Sequence, residues 1–293
     1  MTYLVGYSAH KEDRGALELA CQLARADSDS IHAVTVVPQG WPTAVAGDAD
    51  REFEEWAAQE GEACAEEAQR YLTEAHPDIP SQTSWVTGRS VPQALLDAAE
   101  RLEATLIVVG SGEDVPSGRI DLTSKTSRLL HSAGLPMAVA PRAYRAGAPI
   151  TRATLAFRGD DEAWSLLERV AEIAQRTGSS LRLVTFAIKR PAMLTARVSG
   201  AETMVMEAWR ERATAEQHEA VQHLLDMGFA KDNVEAVVAI GRSFGDAMDT
   251  LEWGRGDVMV VGSSSTQKLA TVFLGSNSSK IVKNSPVPVI VVP

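Results

Sequence analysis

Asp257-Val-Met-Val-Val-Gly262-Ser263-Ser-Ser265, followed after nine residues by Gly275-Ser276-Asn277 and then by Val287-Pro-Val-Ile-Val-Val-Pro293, decides the fold. The run Val258 to Val261 is continuously apolar rather than alternating, as a parallel strand covered on both faces requires. Gly262 closes it where the backbone must turn sharply or approach another group. Ser276, Asn277 and Ser278 are expected to cap a following helix, whose free N–H groups and positive dipole end suit an anion. An apolar strand then ends the chain. Strand, glycine-serine loop and helix start together predict a phosphate cradle.

The stretch occurs twice. Thr105-Leu-Ile-Val-Val-Gly110-Ser-Gly112-Glu113 aligns with it so that Gly110 lies 152 positions before Gly262. At the same offset Leu122-Thr123-Ser124 falls under Leu274-Gly275-Ser276, and Leu135-Pro-Met-Ala-Val-Ala-Pro141 under Val287 to Pro293. Gly88-Arg-Ser90 and Gly241-Arg-Ser243 match with one residue of slippage, and Leu4 to Ser8 fall only loosely on Thr154 to Arg158.

Read in order, the first copy predicts strands at Tyr3–Tyr7, Ile31–Val37, Gln82–Val86, Leu106–Val109 and Met137–Ala140. Helices are predicted near Ala16–Ala24, Arg51–Glu74 and Pro92–Arg101, and one after Thr123. The second copy repeats the order, with helices at Asp161–Arg176, within Ala201–Met227 and at Phe244–Trp253. Alternating strand and helix implies the α/β class: two tandem doubly wound domains, each a five-stranded, mostly parallel sheet with helices on both faces. Residues 142–152 contain Gly147 and Pro149, show little periodicity and read as a linker, giving domains 1–142 and 153–293. The acidic helix Arg51–Glu74 reads as a solvated face over an apolar stripe of Phe53, Trp56, Ala57, Cys64 and Ala68.

A net charge of −11 argues against nucleic acid and anionic membranes as partners. Two cysteines, Cys21 and Cys64, sit in helical patterns and suggest neither a disulfide framework nor a zinc site. No apolar run approaches roughly 18 residues, and the chain enters a strand at Tyr3 without a leader, so a cytoplasmic location is expected.

Two copies of this topology, each with a glycine-ended fourth strand and a proline-flanked fifth, resemble the tandem form of the universal stress protein family, an adenine-nucleotide α-hydrolase-like fold. That family's nucleotide loop is written G-x2-G-x9-G-[ST]. The second copy gives Gly262-x2-Ser265-x9-Gly275-Ser276 and the first Gly110-x2-Glu113-x9-Thr123-Ser124. The resemblance implies a stress-response regulator that binds ATP, with Mg2+ accompanying it. Gly262, Ser263, Ser265, Gly275, Ser276 and Asn277 would hold phosphates and ribose, and Phe186 would offer backbone groups to adenine. Ser8, Val36, Gly110, Gly112 and Ser124 would form the matching but degenerate first site. Ser8 and Arg158 stand where nucleotide-binding members have an aspartate, so Arg158 would act as a cation toward the phosphates or pair with Asp160 or Asp161. Glu113 and Thr123 count against the first site, through like charge and lost space.

The fifth strands, Met137–Ala140 and Val287–Val292, are apolar edges that the family pairs, so the two domains are expected to pair with each other through them. A homodimer is a further option. No GxGxxG, GxxxxGK[ST], CxxC or GxSxG appears, so any ATP hydrolysis is expected to be slow. A nucleotide-free interaction scaffold of the same fold is the alternative function.

Overall fold

A computed structural model describes residues 1–8, 13–40, 48–188, 199–263 and 275–293. The chain forms two compact units, the first reaching Pro149 and the second beginning at Ile150.

In the first unit β1 (Thr2–Tyr7), β2 (Ser30–Pro38), β3 (Ser81–Gly88), β4 (Leu106–Gly110) and β5 (Met137–Ala140) lie in the order β3-β2-β1-β4-β5. Every pairing is parallel, with Val5 opposite both Ala33 and Val108. The helices are α1 (Gly15–Asp27), α2 (Asp48–Ala75), α3 (Val91–Arg101) and α4 (Ser124–Ser132). Leu17, Leu19, Ala20 and Ala24 of α1 are fully or almost fully buried, as their helical spacing predicts. Pro92 sits in the first turn of α3, where its missing N–H costs nothing. Along α2, Ala57, Cys64 and Ala68 are buried, but Phe53 and Trp56 are exposed, with their tilted rings 5.6 Å apart between centroids. The expected apolar stripe therefore covers the core only from Ala57 onward.

The Cys21 thiol is fully buried, and burial pushes its pKa up to about 12. It is expected to resist alkylation by iodoacetamide at pH 8 in the native protein and to react once the chain is unfolded in urea, as peptide mass mapping would read. Labelling of native Cys21 at the rate of a free thiol would contradict this burial.

The second unit holds β6 (Arg152–Ala156), β7 (Ser180–Ile188), β8 (Val234–Gly241), β9 (Asp257–Gly262) and β10 (Val289–Val292), ordered β10-β9-β6-β7-β8 and parallel throughout. Its helices are α5 (Asp161–Thr177), α6 (Ser199–Asp226), α7 (Phe244–Met248) and α8 (Ser276–Asn284), with a 3-10 turn at Lys231–Asn233. Helix α5 follows its sequence signals closely. The Asp160 carboxylate accepts from the Ala163 N–H at 2.9 Å, and Gly178 closes the helix in the left-handed conformation at φ 69°. One core cluster joins Leu155 and Phe157 to Leu167 of α5 and to Ala220 and Leu224 of α6; a second, including Val184 and Ala239, packs under Ala247 and Leu251.

Helix α7 stops at Met248 rather than at Trp253. The Trp253 indole N–H donates to the Met248 carbonyl at 3.0 Å, and the Thr250 hydroxyl donates to the Ala247 carbonyl at 2.7 Å. The Thr250 and Leu251 N–H groups bond the same carbonyls three residues back, at 3.3 and 3.1 Å, so the chain tightens out of the α-helical pattern here. The Trp253 ring also lies 4.5 Å from the guanidinium carbon of Arg182, a β7 residue that is 1% exposed.

Candidate functional site

In a doubly wound sheet the chain runs outward in both directions from the first strand. The carboxyl ends of the first and fourth strands therefore part and leave a crevice. In the second unit that point lies between β6 and β9. Gly262 ends β9, and a side chain there would press on Leu166 Cδ2 at 3.1 Å. The first turn of α8 abuts it, because the Ser278 hydroxyl donates to the Gly262 carbonyl at 3.1 Å. The Ser263 N–H donates to the Val292 carbonyl at 2.8 Å, so this backbone amide is engaged by the neighbouring strand end. Ser276 and Asn277 are exposed in the first turn of α8.

The capping residue of α8 is Gly275, not Ser276, Asn277 or Ser278 as expected from the sequence. Gly275 carries no side chain with which to occupy the first-turn N–H groups, and Ser278 is turned back to Gly262 instead. In the first unit Thr123 holds the equivalent place with nearly the same backbone, φ −56° and ψ 162° against −57° and 161°. Its hydroxyl oxygen accepts from the Thr126 N–H at 3.2 Å. The two copies thus differ in whether the N-cap residue itself supplies a capping side chain.

Arg158 follows β6 and pairs with Asp160 at 3.1 Å and Glu162 at 3.5 Å, half exposed. The surface pairing foreseen for it is present, with Glu162 as the second partner instead of Asp161. Phe186 lies in β7 with its ring 5.9 Å from that of Phe244, so strand and α7 meet there. Ser265 lies outside the described residues.

The first unit has a cavity of about 240 Å³ at its own switch point. Ser8, Val36 and Gly110 line it; Gly112 and Ser124 do not. Gly112 instead approaches the Asp121 carboxylate and Thr123 so closely that a Cβ would collide with both. The floor is apolar, including Val34, Leu95 and Leu129, and the polar lining adds to Tyr7, Ser8, Thr123 and Thr126 the side chains of Asp13, Arg14, Ser111 and Lys125. Sequence reasoning missed these four. Lys125, next to Ser124 in the first turn of α4, was the most visible of them. Arg14 is committed elsewhere: it bonds Glu67 at 3.1 Å and stacks on Tyr71 at 4.4 Å. Desolvation, then the charge of Glu67, pushes the Tyr7 hydroxyl of this wall up to about 12, so it stays a neutral donor.

Among the described residues there is no cluster of three or more His, Cys, Asp or Glu suited to a metal, and no helix long and apolar enough to cross a membrane.

The sequence matches the model of the Universal stress protein family over residues 1–141 and again over 150–293. Universal stress proteins of Mycobacterium tuberculosis and Mycobacterium bovis are each 36% identical over 295 residues, covering 100% of both chains. A universal stress protein structure from Archaeoglobus fulgidus matches with a TM-score of 0.64 at 18% identity, covering 99% of this chain and 97% of that one. A structure of a protein described as a putative universal stress protein from Pseudomonas aeruginosa matches with a TM-score of 0.60 at 16% identity, covering 99% and 92%.

Proposed function

The chain belongs to the universal stress protein family as a tandem member, and on that premise we propose that it is a cytoplasmic stress-response regulator that binds ATP or a related adenine nucleotide, mainly in its second domain. The supporting observation is the start of α8. Gly275 gives α8 no capping side chain beside the Gly262 turn, whereas Thr123 already caps α4. The phosphates would lie across Gly262, Ser263, Ser265, Gly275, Ser276 and Asn277, with adenine toward Phe186 and any Mg2+ carried on the phosphates. Arg158 would leave its surface pairs to meet a polyphosphate, a stronger multivalent anion than either carboxylate.

The first cavity, at about 240 Å³, is below the roughly 300–1,000 Å³ usual for small-molecule sites and would take an adenine nucleotide only weakly. The fifth strands β5 and β10 each end a five-stranded sheet with a short apolar edge, which supports pairing of domains 1–142 and 153–293 through them. A nucleotide-free scaffold is the second reading, favoured by the existing ion pairs of Arg158.

Mass spectrometry of nucleotide released from freshly purified protein tests the proposal, beside Gly275→Glu. The variant places a carboxylate over the helix start at a backbone geometry that Thr123 shows can carry a side chain. About one adenine nucleotide per chain in the parent and none in the variant is the expected result. None in either, confirmed by titration with added ATP, would leave the scaffold. About two per chain, one surviving in the variant, would place binding in the first cavity as well.

A further inference from the structure

The segment between the first domain's last strand and the second domain's first has the sequence character of a linker, yet it is fastened to α1 by buried polar groups. Glu18 and Gln22, one helical turn apart in α1, are 7% and 2% exposed. Glu18 accepts from the Ala146 N–H at 3.1 Å and from the Tyr71 hydroxyl. Gln22 donates to the Ala148 carbonyl at 2.6 Å and accepts from the Tyr144 hydroxyl. Buried polar side chains on a core-facing helix are costly unless satisfied, and this segment, together with Tyr71 of α2, satisfies them.

The same segment also bonds two stretches that contribute residues to the lining of the first cavity. Asp13, in one wall, receives the Ala143 N–H at 2.8 Å on one oxygen and the Gly15 N–H at 2.8 Å on the other. Arg142 donates through its guanidinium to the Val115 carbonyl at 2.6 Å. Its backbone also exchanges bonds with Gly118 and Arg119 at 2.8 and 2.9 Å. That loop carries Ser111, whose hydroxyl takes the Asp121 N–H at 2.7 Å while facing the cavity. Ala143 is held at φ 57°, a left-handed conformation that a non-glycine residue keeps only where its surroundings impose it.

We propose that residues 142–148 form a strap whose docking on α1 sets the shape of the first cavity, so that ligand there and strap docking favour each other. Only the ligand's identity, an adenine nucleotide, rests on the proposed function. The coupling itself is reciprocal by linkage.

Gln22→Ala and Tyr144→Phe loosen the strap without altering any residue that lines the cavity. Amide hydrogen exchange, read by mass spectrometry on peptides from 111–119 and 142–149, is the test. Losing one or two hydrogen bonds should speed exchange in 142–149 by about three- to tenfold, and 111–119 should accelerate with it. Faster exchange in 142–149 with 111–119 unchanged would overturn the coupling.

A second arm titrates ATP and AMP into chains that also carry Gly275→Glu, so that only the first cavity can load. Binding should slow exchange in 142–149, and Tyr144→Phe should weaken affinity by the factor by which it opens the strap. Binding that leaves the strap's exchange unchanged overturns the proposal. An absence of binding overturns the coupling to an adenine nucleotide, and the ligand-free comparison of the two peptides then decides only whether strap docking holds the 111–119 loop.

Discussion

Asp257→Asn is expected to destabilise the second unit by about 3–5 kcal/mol, a loss typical of breaking a buried ion pair from one side. The Asp257 side chain is 4% exposed and receives the Arg152 guanidinium at 3.1 and 2.6 Å and the Gly254 N–H at 2.9 Å. Arg182 stands 3.9 Å away. Its other bonds are neutral, to the Thr154 hydroxyl at 3.1 Å and the Glu252 carbonyl at 2.8 Å. Asparagine keeps the shape and removes the charge, leaving a guanidinium buried beside a second one. Burial, then the charge of Arg152, already holds the Arg182 pKa below its usual value, so this cation is only partly compensated now. Arg182→Met should therefore cost far less, about 1 kcal/mol or nothing, because Asp257 keeps Arg152 and an apolar chain fills the space. Urea unfolding of the two variants against the parent decides the matter. Equal losses would mean that packing on Trp253, not charge, makes Arg182 necessary.

That cluster was invisible in the sequence for a physical reason. Arg152, Arg182 and Asp257 are 30 or more positions apart and sit near the starts of three adjacent parallel strands. Nothing in a single strand's pattern announces which neighbours it will meet. The sheets were legible because a parallel strand covered on both faces must be continuously apolar, and Val258 to Val261 and Leu106 to Val109 satisfy that without help from elsewhere. Helix starts were legible where a side chain caps, as at Asp160, and misread at Gly275, where the useful property is the missing side chain. The strap had a signal that periodicity alone overlooks. Glu18 and Gln22 fall four apart on the face of α1 that must be buried, and polar groups there demand a partner. The end of α7 had none, since Trp253 caps Met248 by folding back rather than by continuing the helix.

Gly241→Ala is expected to cost about 3 kcal/mol, at the upper end for overpacking, while the matching Gly88→Ala costs about 1 kcal/mol. Both glycines open the repeated Gly-Arg-Ser turn after the third strand of their copy, so sequence alone would treat them alike. A Cβ at Gly241 would collide with the Ala247 backbone nitrogen and approach the Ser243 carbonyl at 2.8 Å and the Ala247 Cα at 2.9 Å. All three are main-chain atoms of the turn that Ser243 caps by accepting from the Asp246 N–H at 3.1 Å. They can retreat only if α7 moves, which pulls Ala247 and Met248, both fully buried, out of the core. At Gly88 the only contact under 3.0 Å is the Ala94 Cβ at 2.9 Å, which moves with the backbone of α3, and the next is a Val36 methyl at 3.5 Å, so the overlap to relieve is one slight contact instead of three with main chain. The consequence reaches the proposed nucleotide site, because α7 carries Phe244 against Phe186. Gly241→Ala should therefore weaken adenine nucleotide binding in the second copy as well as lowering the urea midpoint, whereas Gly88→Ala should leave that binding unchanged. A large stability loss with full affinity would separate α7 from the adenine end of the site and move the ligand toward Gly262 alone.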